Sequence, residues 1–363
     1  MARHLTIHQI TNVPYSNLNR DDSGTPKRVT LGGALRALHS SQSIKRGIRT
    51  KYEEASLNTS VRSGNILDEV MATVAKLAPE ADIPALRKIA NKRIGELTKS
   101  SSAESESDRS VWVSQEEINT LAEALIHPDS AEDGTDFISG NATGSLAIAA
   151  FGRMFANSPQ HNTEAAIAVS PGITTHAATI ETDYFTTVDD IKERAGETGA
   201  TYLGVARFVN GTFYRSVTID REQLKESWTG YEMPENRENL SELIRAIVYG
   251  APRGKENATA PYTMPSLLLA EEQRYRTAYS FEKPVEAGRD GGYEETSIAE
   301  LNRQYKQARS FDPGNFGPLE LVSGTAELDE GEFAGATSCN LDDFIAGIVD
   351  WILEPLKDAG NEE

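Results

Sequence analysis

Residues 200–220 read ATYLGVARFVNGTFYRSVTID. Their reading decides the fold, because two runs rich in β-branched and aromatic residues flank Asn210-Gly211, a strong two-residue hairpin signal. The stretch predicts an antiparallel hairpin, and a hairpin needs further strands to bury its apolar face. The first candidate partner is HLTIHQIT (4–11), where Leu5 and Ile7 alternate with polar residues as in a half-buried strand.

Outward from these strands the pattern changes. NVPYSNLNRDDSGTPKRVTLGG (12–33) is rich in Asn, Gly, Ser and Pro and predicts a long loop. A helix is expected from SSQSIKRGIR (40–49), with serine hydroxyls as N-caps, Ile44 and Ile48 facing a core, and Lys45 and Arg49 on an adjoining face. Strand, loop and helix in that order suit phosphate, because first-turn amides point outward with partial positive charge.

Residues 60–127 read as helical. Ile66, Val70, Val74 and Leu77 share one face, and Pro84 opens a helix with Leu86, Ile89, Ile94 and Leu97 on another. Ser114-Gln-Glu-Glu117 is a capping box before Ile118, Leu121 and Leu125. Lys99–Asp108 (KSSSAESESD) reads as a polar connector, and residues 128–143 break the pattern, so 60–140 is expected to be a helical insertion. Ser145–Phe155 (SLAIAAFGRMF) fits strand or helix, and periodicity does not decide. Further helices are expected at 236–250 and at Asp342–Leu356. The whole predicts an α+β sheet domain with an embedded helical domain.

With 363 residues, 38% hydrophobic and 25% charged, the chain has the composition of a soluble globular protein of one or two compact units. LAIAAF, its longest apolar run, is far short of the ~20 residues of a membrane span. The N-terminus lacks the apolar centre of a signal peptide. A single cysteine, Cys339, excludes an internal disulfide and suits a reducing cytoplasm, the expected location.

Charge is distributed unevenly. The formal net charge is −19, yet residues 1–51 hold nine basic side chains and only Asp21 and Asp22 as acids, while twelve acids and one lysine follow from Glu320 onward. The overall sign disfavours nonspecific polyanion binding, so any nucleic-acid contact must be local. A helix with Lys45, Arg46 and Arg49 can simply present a solvated face. It can equally hold phosphates without reading sequence, helped by Ser40, Ser41, Gln42 and Ser43. Both readings stand at this point.

The chemical motifs are mostly absent. No HExxH, paired cysteines, GxGxxG or GxSxG occurs, and GAPRGKE (250–256) is one residue short of a P-loop and lacks the following Ser or Thr. No metal or other cofactor is expected. The scattered histidines read as structural or surface groups; His176, flanked by Thr174 and Thr175, has no evident nucleophile partner. Asp21-Asp22 before Ser-Gly reads as a turn, with action as a base on an RNA hydroxyl or as a metal ligand the alternative. Tyr184-Phe185 either anchor a loop or wedge between bases.

NLNRDD (17–22), SSQSIKRGIR (40–49), FGRMFA (151–156), ITTH (173–176), DYFTTVDD (183–190) and FVNGTFYR (208–215) occur in one order. Together they closely resemble the CasC family, the backbone subunit of the type I-E CRISPR surveillance complex Cascade. The likeness extends to about residue 220 and is weak in the insertion and the C-terminal third. It implies a modified RNA-recognition-motif (ferredoxin-like) palm (1–58, 144–176 and 208–363, the last with an acidic C-terminal helix), helical fingers (59–143) and a thumb hairpin (177–207). The palm would include the first strand and the 201–219 hairpin.

The resemblance further implies a chain that stacks with sister copies in a helical filament along crRNA, beside CasA, CasB, CasD and CasE. The thumb kinks the guide, which pairs with target DNA, and a recruited helicase-nuclease cuts. It implies RNA contacts by Arg20, Lys27, Ser40, Gln42, Lys45, Arg46, Arg49, Met154, Phe185 and Thr186, and no catalysis by the chain itself. Lysines in the fingers of some relatives attract DNA; the match around Lys88, Lys92 and Arg93 is too poor to carry that role over. Backbone subunits of other CRISPR types cut RNA with an aspartate after the first strand, so a ribonuclease using Asp21 or Asp22 is the alternative. An enzyme acting on a small metabolite is disfavoured by the missing cofactor motifs.

Overall fold

The computed structural model describes residues 2–354 apart from 57–59, 64, 99–110, 128–136, 139, 141, 156–157, 188–193 and 195–201. The connector expected at Lys99–Asp108, the tip of the hairpin expected within 177–207, and the acids beyond residue 354 lie outside the described residues.

The first strand, β1 (His4–Ser16), is longer than its alternating segment. The expected long loop is correspondingly short. After a turn at residues 17–27 the chain forms β2 (Arg28–Leu31) and β3 (Ala34–His39), which pair across Gly32-Gly33, both at positive φ. Helix α1 (Ser41–Ala55) follows, with Ser40 as its N-cap and Ile44, Ile48 and Tyr52 buried.

The insertion contains a small sheet, β4 (Ser60–Ser63) with β5 (Val111–Ser114), and helices α2 (Ile66–Leu77), α3 (Ile83–Thr98) and α4 (Gln115–Ile126). These elements enclose their own core around Val70, Val74, Val113, Ile118 and Leu121. The capping box at Ser114 and Glu117 is formed. Leu77 and Ile89, expected inward, are about half exposed; Ala90 fills the place beside the neighbouring helices.

The chain then runs through α5 (Leu146–Phe151), β6 (Ile167–Val169), β7 (Gly172–Thr174) and β8 (Glu181–Thr187) into β9 (Tyr202–Asp220). Here the structure corrects the opening expectation. Asn210-Gly211 is no turn: residues 202–220 are one continuous strand, and Gly211 has no positive φ. A hairpin does form, but its other arm is β8, with Tyr184 opposite Val205 and Phe185 opposite Gly204. The residues read as one arm of a palm hairpin therefore belong to the projecting hairpin. Gly211 serves close packing instead, since a Cβ there would lie 2.8 Å from Thr174 Cγ2 and 3.0 Å from His176 Nε2.

After β9 come α6 (Arg221–Ser227), α7 (Arg237–Tyr249), β10 (Leu267–Gln273), α8 (Glu294–Phe311), β11 (Phe316–Ser323), β12 (Thr337–Ser338) and α9 (Leu341–Leu353). The sheet order is β12-β11-β10-β1-β9-β7-β3-β2, with β6 and β8 also on β9. Within it β1, α1, β6, β9, α7 and β10 make a βαββαβ unit with central order β10-β1-β9-β6, all antiparallel. This is the expected ferredoxin-like palm.

The helices α1, α5, α7 and α9 pack on one face, over Leu5, Ile7, Val217, Ile219 and Leu268. Arg215 reaches through this layer. It donates to Gln9 Oε1 and to the last carbonyls of α7, Ile247 O at 2.7 Å and Val248 O at 3.1 Å, so the helix end is tied to the sheet. Helix α8 covers the other face over Ile10, Leu269 and Tyr279. Both faces of the central sheet are thus occupied, and strand β1 is buried from Leu5 to Ile10.

Candidate nucleic-acid interface

With both faces covered, bases cannot stack on the open sheet as in a simple RNA-recognition motif. Any contact surface is left to the ends and edges of the strands. The turn at 17–27, the start of α1 and the root of the β8/β9 hairpin meet at one such end.

The turn is made by its own polar side chains. Asp21 Oδ1 accepts from the Ser23 amide at 2.9 Å, the Ser23 hydroxyl at 2.7 Å and the Thr25 amide at 3.0 Å. The Ser23 hydroxyl, foremost among these contacts, holds the Asp21 carboxyl below the usual carboxylate range. Asp21 is therefore committed to the turn, as its Asp-Asp-Ser-Gly context suggested. Asn17 donates to Gly24 O, and Asn19 Oδ1 accepts from the Ser40 amide at 2.7 Å, which joins the turn to the helix start.

Ser40 accepts from the Ser43 amide, so its hydroxyl is already a cap. Helix α1 crosses the 250–254 segment closely: a Cβ on Gly47 would lie 2.0 Å from Ala251 O, and the Gly254 amide donates to Leu18 O at 2.9 Å. Between turn, helix and segment opens a polar cavity of about 740 Å³, lined by Arg20, Asp22, Ser43, Arg46, Thr50 and Arg253 among others. Arg253 escaped the sequence reading. Its segment, GAPRGKE, is no P-loop, and its glycines act by letting backbones touch.

The expected RNA contacts divide into groups. Arg20 and Arg46 share the cavity, and Lys27 and Ser40 adjoin it through Asn19. Arg20, Lys27, Lys45 and Arg46 make no ion pair among the described residues, and Gln42 is exposed on the first turn. Arg49 differs: it pairs with Glu53 at 2.9 Å and lies over the Trp112 ring of the insertion, so it can reach phosphate only by leaving both. Arg36, counted among the basic start, is fully buried and donates to Thr174 O, Phe281 O and Glu282 O. It is a structural residue.

The hairpin root lies against the turn, where Arg207 donates to the Thr25 hydroxyl at 2.8 Å and Tyr15 stacks on Phe208. Further out, Tyr184, Leu203 and Val205 are more than half exposed. Phe185 lies over Gly204, where a Cβ would meet its ring at 2.2 Å, and Thr186 is exposed. Leu203 and Val205 lie within the expected thumb (177–207) but are not among the expected RNA contacts, and their exposure makes them further candidates. Met154 is 79% exposed between two buried neighbours, Arg153 and Phe155. Arg153 binds Glu117 of α4 at 2.7 Å, which fixes Met154 at the seam with the insertion, away from the polar cavity.

A second cavity, of about 580 Å³, lies under α1 and includes His39, Phe213 and Met264. Burial, with the Arg215 charge adding, pushes His39 down to about 3, so its imidazole is neutral against Phe213. No group of ligands suited to a metal ion occurs among the described residues, and no helix among them is long and apolar enough to cross a membrane.

The fold is that of chains in two solved assemblies. One, a "CRISPR RNA-guided surveillance complex, pre-nicking", matches with TM-score 0.79 and 24% identity over 96% of this chain and 100% of that one. Another, a "CRISPR RNA-guided surveillance complex", matches with TM-score 0.61 and 23% identity over 96% of this chain and 99% of that one. No curated protein matches. A family model described as CT1975-like protein matches residues 5–351. In agreement with the CasC resemblance, the chain belongs to the CT1975-like (Cas_CT1975) family.

Proposed function

We propose that this chain is the guide-RNA-holding backbone subunit of a type I-E CRISPR surveillance complex. The observation that carries the reading is the set of cations without ion-pair partners among the described residues, Arg20, Lys27, Lys45 and Arg46, around a capped helix start in a chain of net charge −19. One local cationic groove on an acidic molecule holds a single polyanion in one place and repels it elsewhere. Ser40, Gln42 and, when freed from Glu53, Arg49 complete the backbone contacts. The β8/β9 hairpin with Phe185 and Thr186 kinks the crRNA, and Met154 packs against its bases.

In this reading sister copies line up along the guide with CasA, CasB, CasD and CasE. The guide pairs with target DNA, and a separate helicase-nuclease cuts during antiviral defence in the cytoplasm. The chain itself is a scaffold and not a nuclease, in keeping with the employment of Asp21 in its turn.

The test is the salt dependence of RNA binding. Lys45→Ala with Arg46→Ala should make the slope of log K against log salt shallower by about 1.4, at roughly 0.7 per lost phosphate contact on a single strand. An unchanged slope removes the phosphate assignment. Complementary RNA should stay intact with wild-type complex and divalent metal; its cleavage, abolished by Asp22→Ala, would replace the scaffold by the ribonuclease.

A further inference from the structure

The stretch ITTH (173–176) takes no part in these phosphate contacts, yet Thr174, Thr175 and His176 are buried. They sit where β9 passes from the sheet into the hairpin. Residues 211–220 of β9 pair with β1, and Val209 pairs with Ser16 beyond a register shift between Val13 and Ser16, whereas 202–208 pair with β8.

A clasp closes around β9 at that point. The Thr175 amide donates to Thr212 O at 2.9 Å, and the Thr212 amide donates in return to His176 Nε2 at 3.1 Å. With Nε2 accepting, Nδ1 holds the proton and donates to Ala177 O at 2.8 Å. The ring lies flat on Tyr293 of the turn before α8, 3.6 Å between centroids and 6° between planes. Gly211 makes room on the strand side, as the contact distances of its missing Cβ show.

The clasp is anchored on several sides. Buried Arg36 ties Thr174 O to Phe281 O and Glu282 O. The Val285 amide donates to Thr175 O at 3.0 Å, and the Thr175 and Ser297 hydroxyls share a hydrogen bond of 2.7 Å. Strand β3, helix α8 and the 281–285 segment thus grip β9 through residues 174–176, while the arm above depends on β8.

We propose that His176 is a positioning residue: held between Tyr293 and Gly211, it sets the angle at which the β8/β9 hairpin leaves the sheet and so where Tyr184–Thr186 meet RNA. The inference rests on the function proposed above. A rigid root makes the hairpin a lever rather than a flap, and only a lever places its tip at the same point in every copy.

The test uses assembled complex carrying its RNA, probed with dimethyl sulfate for the regular alternation of reactive and protected bases. His176→Ala should retain RNA of unchanged length but lose that alternation, because the phosphate contacts lie elsewhere. His176→Gln, whose amide can accept from Thr212 and donate to Ala177, should restore it. A purely structural role would lower thermal stability and leave the alternation intact, which overturns the proposal, as does failure of His176→Gln to rescue. Should His176→Ala not assemble, hydrogen exchange on wild-type complex decides. A Thr212 amide as slow as those of Val217 and Ile219 supports the clasp, and one as fast as those of residues 203–207 overturns it. Wild-type complex without RNA, or without alternation, defeats the proposed function instead and leaves the clasp to be judged by exchange alone.

Discussion

The two halves of β9 have similar sequences and opposite circumstances. Val217 and Ile219 are buried between α-helices and neighbouring strands, whereas Leu203 and Val205, also β-formers in an alternating run, are more than half exposed on a two-stranded arm. The first pair stabilises the fold through area removed from water. The second pair does little for stability, and exposed apolar groups on a projecting hairpin mark a surface meant to be covered by something else. One strand therefore runs from the core to an exposed arm, with Ala206, Phe208 and Val209 still buried beyond Gly211 and Leu203 and Val205 exposed further out.

Substitutions can break this contrast. Ile219→Ala should destabilise the protein by about 2–5 kcal/mol in urea unfolding, while Leu203→Ala should change stability by less than ~0.5 kcal/mol. Equal losses would mean that the hairpin is packed in solution.

Acid sharpens the comparison on the sheet side, where His39 stacks on Phe213. Its folded value of about 3 lies below the ordinary 6.5, because burial disfavours the charged ring. The unfolded chain therefore binds the proton first. Stability present above pH 6.5 declines as pH falls from 6.5 toward 3, by about 2–3 kcal/mol at pH 4.5 from this group. His39→Phe should flatten that part of the pH profile in thermal unfolding.

The glycines offer a finer test. In Gly211→Ala the new methyl meets enclosed Thr174 and His176, and a loss of about 1–3 kcal/mol is expected. In Gly204→Ala it meets the Phe185 ring on an exposed arm, which can swing aside, so the melting point should barely move. The readout there is weaker protection of Phe185 from solvent when RNA is bound. The smallest stability effect is expected for Tyr184→Ser, within ~0.5 kcal/mol, with its consequence confined to RNA binding.

Much was legible in short-range patterns. Ser40 and Ser114 announce their helices because a cap is a local hydrogen bond, and Ile44 and Ile48 mark the core face through helical spacing. The Asp-Asp-Ser-Gly turn was legible for the same reason. Arg36 was not: nothing local separates a buried arginine from an exposed one, and its partners are Thr174, Phe281 and Glu282, far along the chain. Arg49 likewise finds Trp112 only after the insertion folds.

The sequence by itself determined the basic start on an acidic chain, the helix caps, the α+β class and the turn that employs Asp21, all set by composition or by neighbours within a few residues. Tertiary structure decided the rest. Asn-Gly favours a tight turn only where a left-handed backbone and a free neighbouring strand are available. Here β1 continues alongside, and buried Thr174 and His176 close on Gly211, so pairing and packing outweigh the local preference and carry one strand from the core out to the exposed arm.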